Sequence, residues 1–265
     1  MKKIILAVAF IAATLSAKAW IIHCDRGVLL LASQNYTPET LRLVQQYVGE
    51  DVTKSAYYLA SLRKDGRYSE TEGWHKLHLN ADLKPAAAND SDAYVQIEKA
   101  LEIIRNRKDH NTKTVRFAIN TLVNLVIDMH NISNVAIEGI PLSGTDFKFN
   151  SSKGSANGRP AKIFPYSWKD LWTSRYPYQH SGYTPAMWAT DLAIMFGDKK
   201  EQYSAGTLVD WLTDIGQYTK QVHGVLEANG GSFLHATIQA HEDLHMSCMG
   251  RAAYRIAALL NENLK

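Results

Sequence analysis

Cysteine is nearly missing from this chain: Cys24 and Cys248 are the only two in 265 residues. That count excludes a small fold stapled by several disulfides and leaves a hydrophobic core to hold the structure together. The pair either bridges the two ends of the chain or remains as two buried thiols. Sequence separation alone does not decide between these, because bridging needs a specific approach of the two side chains.

A surplus of one charge is also missing. The formal net charge is +3, from 29 Lys and Arg against 26 Asp and Glu. Lys2, Lys3 and Lys18 account for that difference, so residues 20–265 are balanced. A neutral chain lacks the basic field of a tight polyanion binder. Nuclease chemistry is still open to it, since bound metals would add positive charge that a residue count omits.

No apolar run reaches the length of an ordinary transmembrane helix. The longest, Ile4 to Leu15, follows Lys2-Lys3 and precedes Ala17-Lys18-Ala19. A positive start, a short apolar centre and a small-x-small site form a secretory signal. The expectation is a signal peptide at 1–19, cleavage after Ala19, and a mature protein that begins at Trp20. Such a protein is exported, periplasmic or secreted, and keeps no membrane segment after cleavage.

Internal repeats and low-complexity tracts are absent as well, and runs of period two are few. What is present is helical periodicity. Apolar residues recur at three-to-four spacing near Pro38–Gly49, Asp51–Lys64, Ala93–Arg107, Thr112–Met129, Pro185–Phe196, Gly206–Leu226 and His235–Asn261. Val115, Ile119, Leu122 and Val126 form one stripe. Thr37-Pro38 and Thr184-Pro185 read as helix starts, with Thr as N-cap and Pro at the first helical position. Ile137 to Pro160 is rich in Gly, Ser and Asn and reads as one long loop. The fold class is all-α: one domain of packed helices over residues 20–265.

Several stretches carry a resemblance. Gly73-Trp74-His75 follows a helix that ends Leu59-Ala60-Ser61-Leu62-Arg63. Arg116-Phe117 opens a helix that ends Val126-Ile127-Asp128-Met129-His130. Ser167-Trp168-Lys169-Asp170-Leu171-Trp172 and Asp210-Trp211-Leu212-Thr213-Asp214 come next, and Ala252-Ala253-Tyr254-Arg255-Ile256-Ala257-Ala258-Leu259-Leu260-Asn261 closes the chain. In this order they resemble the zinc-dependent single-strand nucleases of the S-one/P-one type, which share an all-α fold with bacterial zinc phospholipase C. The resemblance implies a metal-dependent phosphodiester hydrolase, an endonuclease acting on single-stranded nucleic acid or 3′-nucleotides. Three zinc ions would polarise phosphoryl oxygens and generate hydroxide near neutral pH. It also makes Trp20 a ligand through its free amine and carbonyl.

The ligand pattern transfers only in part. A His five residues after the Trp falls on Asp25, and the Asp of the preceding helix falls on Ala60. The His after the Trp is His75. The pattern His-x-x-x-Asp-x-x-x-x-x-His falls on Asn124, Asp128 and Asn134. The last pair, His-x-x-x-Asp, falls on Lys169 and Thr173 or, in another register, on Tyr166 and Asp170. Trp20, Asp25, His75 and Asp128 are thus the candidate metal ligands. They allow one divalent ion, zinc, and not the three-zinc cluster, because Asn, Ala and Lys are poor replacements for His and Asp. Asn124, Asn134, Tyr166 and Lys169 occupy ligand positions without zinc-binding side chains and are the candidate substrate-binding residues. With the metal set degraded, hydrolysis is expected to be weak or lost, and the alternative is a binding protein that keeps the fold and the cleft.

One motif points elsewhere. His241-Glu242-Asp243-Leu244-His245 matches H-E-x-x-H, the helical zinc motif of metalloproteases. Asp243 stands where that motif is usually apolar, and the helix runs on past His245 with no segment folding back to supply a third ligand. The plainer reading is a solvated helix start. The middle reading has His235, His241 or His245 lining a pocket. Trp168, Trp172, Trp188 and Trp211 read as core at helical spacing. Tyr176, Tyr178 and Tyr183 beside Arg175 read as a loop cluster able to stack bases.

Overall fold

The computed structural model describes residues 20–64, 68–86, 90–140, 146–150, 163–178, 180–228 and 235–265. It gives the backbone alone at 64, 146–150, 163–168, 175, 178 and 235–240. The expected signal peptide and its cleavage site lie outside the described residues.

The chain is all-α. Its helices are α1 (Ile22–Gln34), α2 (Pro38–Val48), α3 (Tyr58–Lys64), α4 (Ala93–Arg105), α5 (Thr112–His130), α6 (Trp168–Asp170), α7 (Tyr176–Tyr178), α8 (Pro185–Phe196), α9 (Lys200–Ser204), α10 (Leu208–Ala228) and α11 (His235–Asn263). Short 3-10 turns at Val52–Tyr57 and Ser69–His75 flank α3, and a π turn at Leu171–Arg175 joins α6 to α7. Thr37 caps α2 by accepting from the Thr40 amide at 3.1 Å. Thr184 caps α8 in the same way at Met187, 3.3 Å. Each satisfies a backbone donor that the first helical turn leaves without a partner.

The central element is α5, packed on α4, α2 and α11. Its predicted stripe of Val115, Ile119, Leu122 and Val126 is buried, and burial continues round the helix through Asn124, Asp128 and His130. A helix covered on most sides carries its polar residues into the interior, so each of them must find a partner there.

The first helix, α1, is the longest of those that periodicity misses. It has no side-chain cap at Ile21, and Asp25 and Gly27 fall on its buried face. It packs on α8 and α11. A Cβ on Gly27 would overlap the Cβ of Trp188, so the missing side chain lets α1 and α8 approach closely.

Strands are few. β1 (Leu77–Leu79) pairs in parallel with β2 (Val135–Ile137), Leu77 opposite Val135. β3 (Asp146–Asn150) pairs antiparallel with β4 (Ile163–Ser167). The expected loop from Ile137 to Pro160 therefore contains a strand; its residues 141–145 and 151–160 lie outside the described residues. The ladder of β1 and β2 begins just after His75 and just after Asn134, which fixes the His75 segment beside the C-terminal end of α5.

Trp172, Trp188 and Trp211 are buried, as helical spacing implies. Tyr176 is buried too, within α7 and not in a loop. The side chains of Trp168, Arg175, Tyr178 and His235 lie outside the described residues. Cys24 and Cys248 are both buried and unpaired. On α11, Arg255 donates to the Tyr203 carbonyl at 3.0 Å, to His130 Nε2 at 3.0 Å and to Asp214 Oδ2 at 2.5 Å. Burial lowers its pKa to about 10, and Asp214 opposes that shift.

Candidate functional site

Five positions chosen from the sequence meet at one cavity. Asp25 comes from α1, Ala60 from α3, His75 from the turn before β1, and Asn124 and Asp128 from α5. The four-residue step from Asn124 to Asp128 puts both on one face of α5. Ile22 and Asp25 are likewise one turn apart on α1. The cavity measures about 30 Å³, enough for a water or a small ion and far below the volume of a nucleotide site.

A sixth residue decides the chemistry. Arg63 lines the same cavity, one turn after Ala60 on α3. Its guanidinium lies against His75 Nε2. On the other side of the ring, His75 Nδ1 is 2.5 Å from Asp128 Oδ2, with both side chains buried. A guanidinium can only donate, so Nε2 is the acceptor and the ring proton sits on Nδ1, donating to Asp128. The result is a chain of hydrogen bonds, Arg63 to His75 to Asp128. Burial pulls the Arg63 pKa down, and Asp128 and Glu72 oppose that pull.

The polar neighbours are tied to backbone. Asn124 donates from Nδ2 to the Ser55 carbonyl at 2.6 Å and to the Asn120 carbonyl at 2.8 Å. Asn134 donates to the Asp128 carbonyl at 3.1 Å and so closes the end of α5. Lys169, half-buried on α6, has its pKa lowered by burial, and Asp128 is the largest influence against that. Tyr166 pairs with Phe147 in the ladder of β3 and β4; its side chain lies outside the described residues. Trp20 precedes α1, fully buried, and its ring meets His245 edge-on at 5.7 Å.

This donor set does not fit a zinc ion. Both ring nitrogens of His75 are engaged, Ala60 has no donor, and the Asn124 amide nitrogen is held by two carbonyls. Among the described residues no group of three or more His, Cys, Asp or Glu comes together as a metal site. The cation in the cavity is an arginine instead. Sequence reasoning passes over Arg63, although it lies one helical turn after Ala60 on α3.

The HEDLH segment forms part of α11 and is not a solvated start. His241 and His245 are buried. His245 donates from Nε2 to the Trp172 carbonyl at 3.0 Å and stacks on Tyr176 with ring centroids 5.1 Å apart. Burial depresses its pKa to about 3, so the ring is neutral. Glu242 accepts from His180 at 3.0 Å. His245 and Glu242 are therefore committed to packing and to a hydrogen bond.

The chain matches no protein-family model and no curated protein.

Proposed function

We propose that this chain is an exported, divergent protein on the plan of the zinc single-strand nucleases, in which metal-dependent hydrolysis has been lost and binding remains. What supports the plan is convergence. The resemblance carries ligand positions over to Asp25, Ala60, His75, Asn124 and Asp128, and all five line one cavity. What supports the loss is the single observation at His75, whose imidazole is held by Arg63 on one side and Asp128 on the other. A ring with no lone pair to offer cannot ligate a metal or accept a proton from an attacking water. The ligand class that the resemblance implies is single-stranded nucleic acid or a nucleotide, held on the surface outside the cavity of about 30 Å³, which is too small to enclose it. Near-neutral charge makes that binding weak, and few neutralised phosphates give it a shallow salt dependence.

The test is hydrolysis of single-stranded DNA, RNA and 3′-nucleotides with added zinc, alongside binding of labelled oligonucleotides by fluorescence anisotropy. The expected result is saturable binding without cleavage. Zinc-dependent cleavage would overturn the loss of catalysis. Absence of binding at low salt would overturn the nucleic-acid ligand.

A further inference from the structure

The cavity has the carboxylates of a cation site, and an arginine of the same chain lines it with them. Asp25 and Asp128 both line it, and Asp128 is almost fully buried. A buried carboxylate is costly unless a positive group faces it. Arg63 reaches in from α3 and makes contact with His75, the residue that donates to Asp128. Its planar fork of donors suits such a site better than a point charge would. Lys169 adds a second positive group within the influence of Asp128, from the side of α6.

We infer that the Arg63 guanidinium is the resident cation of this cavity, held there by His75 and Asp128, and that its presence excludes a divalent metal. This rests on the reading of the site given above and deepens it. The loss of metal is then not passive decay of ligands. Ala60 and Arg63 act together: the missing carboxylate at position 60 leaves room, and the guanidinium one turn later fills it with charge. Removing the guanidinium and restoring the carboxylate should therefore recreate a metal site. Its ligands would be Asp25, His75, Asp128 and the carboxylate introduced by Ala60→Asp, since ligand number and type set zinc affinity.

The experiment compares the wild-type protein with the Ala60→Asp/Arg63→Ala double variant after dialysis against zinc. Zinc per chain is read by elemental analysis, and thermal midpoints are recorded with and without zinc. Expected are no stoichiometric zinc and no zinc-dependent midpoint shift in the wild type. The double variant should hold about one zinc per chain, with a midpoint several degrees higher when zinc is present, as binding to the folded state requires. A folded double variant that takes up no zinc overturns the inference. Independently of whether that variant folds, ¹⁵N NMR of the wild-type His75 ring should show a protonated Nδ1 and an unprotonated Nε2, unchanged by excess zinc. Ring nitrogens that shift on zinc addition overturn it equally. A zinc-bound, cleaving wild type would contradict the functional reading itself. A zinc-free wild type with a folded but zinc-free variant removes only the role of Arg63.

Discussion

Arg63 and Arg255 each donate to the Nε2 atom of a histidine, His75 and His130. In both cases the other ring nitrogen is the donor, to Asp128 from His75 and to the Val126 carbonyl at 2.7 Å from His130. The two arginines differ in what surrounds them. Arg63 faces a cavity, whereas Arg255 is 1 % exposed and packed over Trp211 with 5.1 Å from guanidinium to ring centroid. Replacing Arg255 leaves the Tyr203 carbonyl and His130 Nε2 without this donor in the interior. Arg255→Met should therefore lower stability by about 3 kcal/mol, read as a shift of the urea unfolding midpoint. A midpoint unchanged from wild type would mean that the network is not holding α11 to α5. At this scale the resemblance marks positions but not their partners. Asp25, His75 and Asp128 follow from the resemblance; that Arg63 turns inward depends on α3 meeting α5, which spacing does not encode.

Elements place those residues. The ladder of β1 and β2 ties His75 to the end of α5, and α1 carries Asp25 to the same point. The approach of α1 to α8 depends on Gly27. Gly27→Ala should push the two helices apart and cost about 1–3 kcal/mol, measured by chemical denaturation. A variant as stable as wild type would contradict the close approach. Helices with one apolar stripe and a clear cap, α2 and α8 above all, are legible because periodicity and Thr-Pro starts agree. The helix α1 is not, since it has no side-chain cap and buries an Asp and a Gly among its apolar residues. The helix α11 is legible over nearly its whole length, and only the burial of His241 and His245 escapes the reading. His241 and His245 look solvated by composition, but the aromatic rings of Trp20, Trp172 and Tyr176 cover His245.

Across the whole molecule the ends are joined. Asn261 on α11 accepts from the Thr37 amide at 2.8 Å and donates to the Asn35 carbonyl at 3.0 Å. Arg105 at the end of α4 donates to Asn263 at 2.7 Å. The closing helix thus locks α1, α2 and α4 around α5, with the two cysteines buried and unbridged. Stability comes from this packed apolar interior, as the shortage of cysteine requires. Charge is balanced at both scales: residues 20–265 are neutral, and Asp128 in the cavity lies within the influence of an arginine and a lysine of the same chain. On the account proposed above, a protein balanced in this way has no need of a bound ion at its centre. The most direct test is the zinc content of the protein purified without chelator. The account predicts less than about a tenth of an ion per chain, because no ligand set of the required size is assembled among the described residues; two or three tightly bound zinc ions per chain would contradict it.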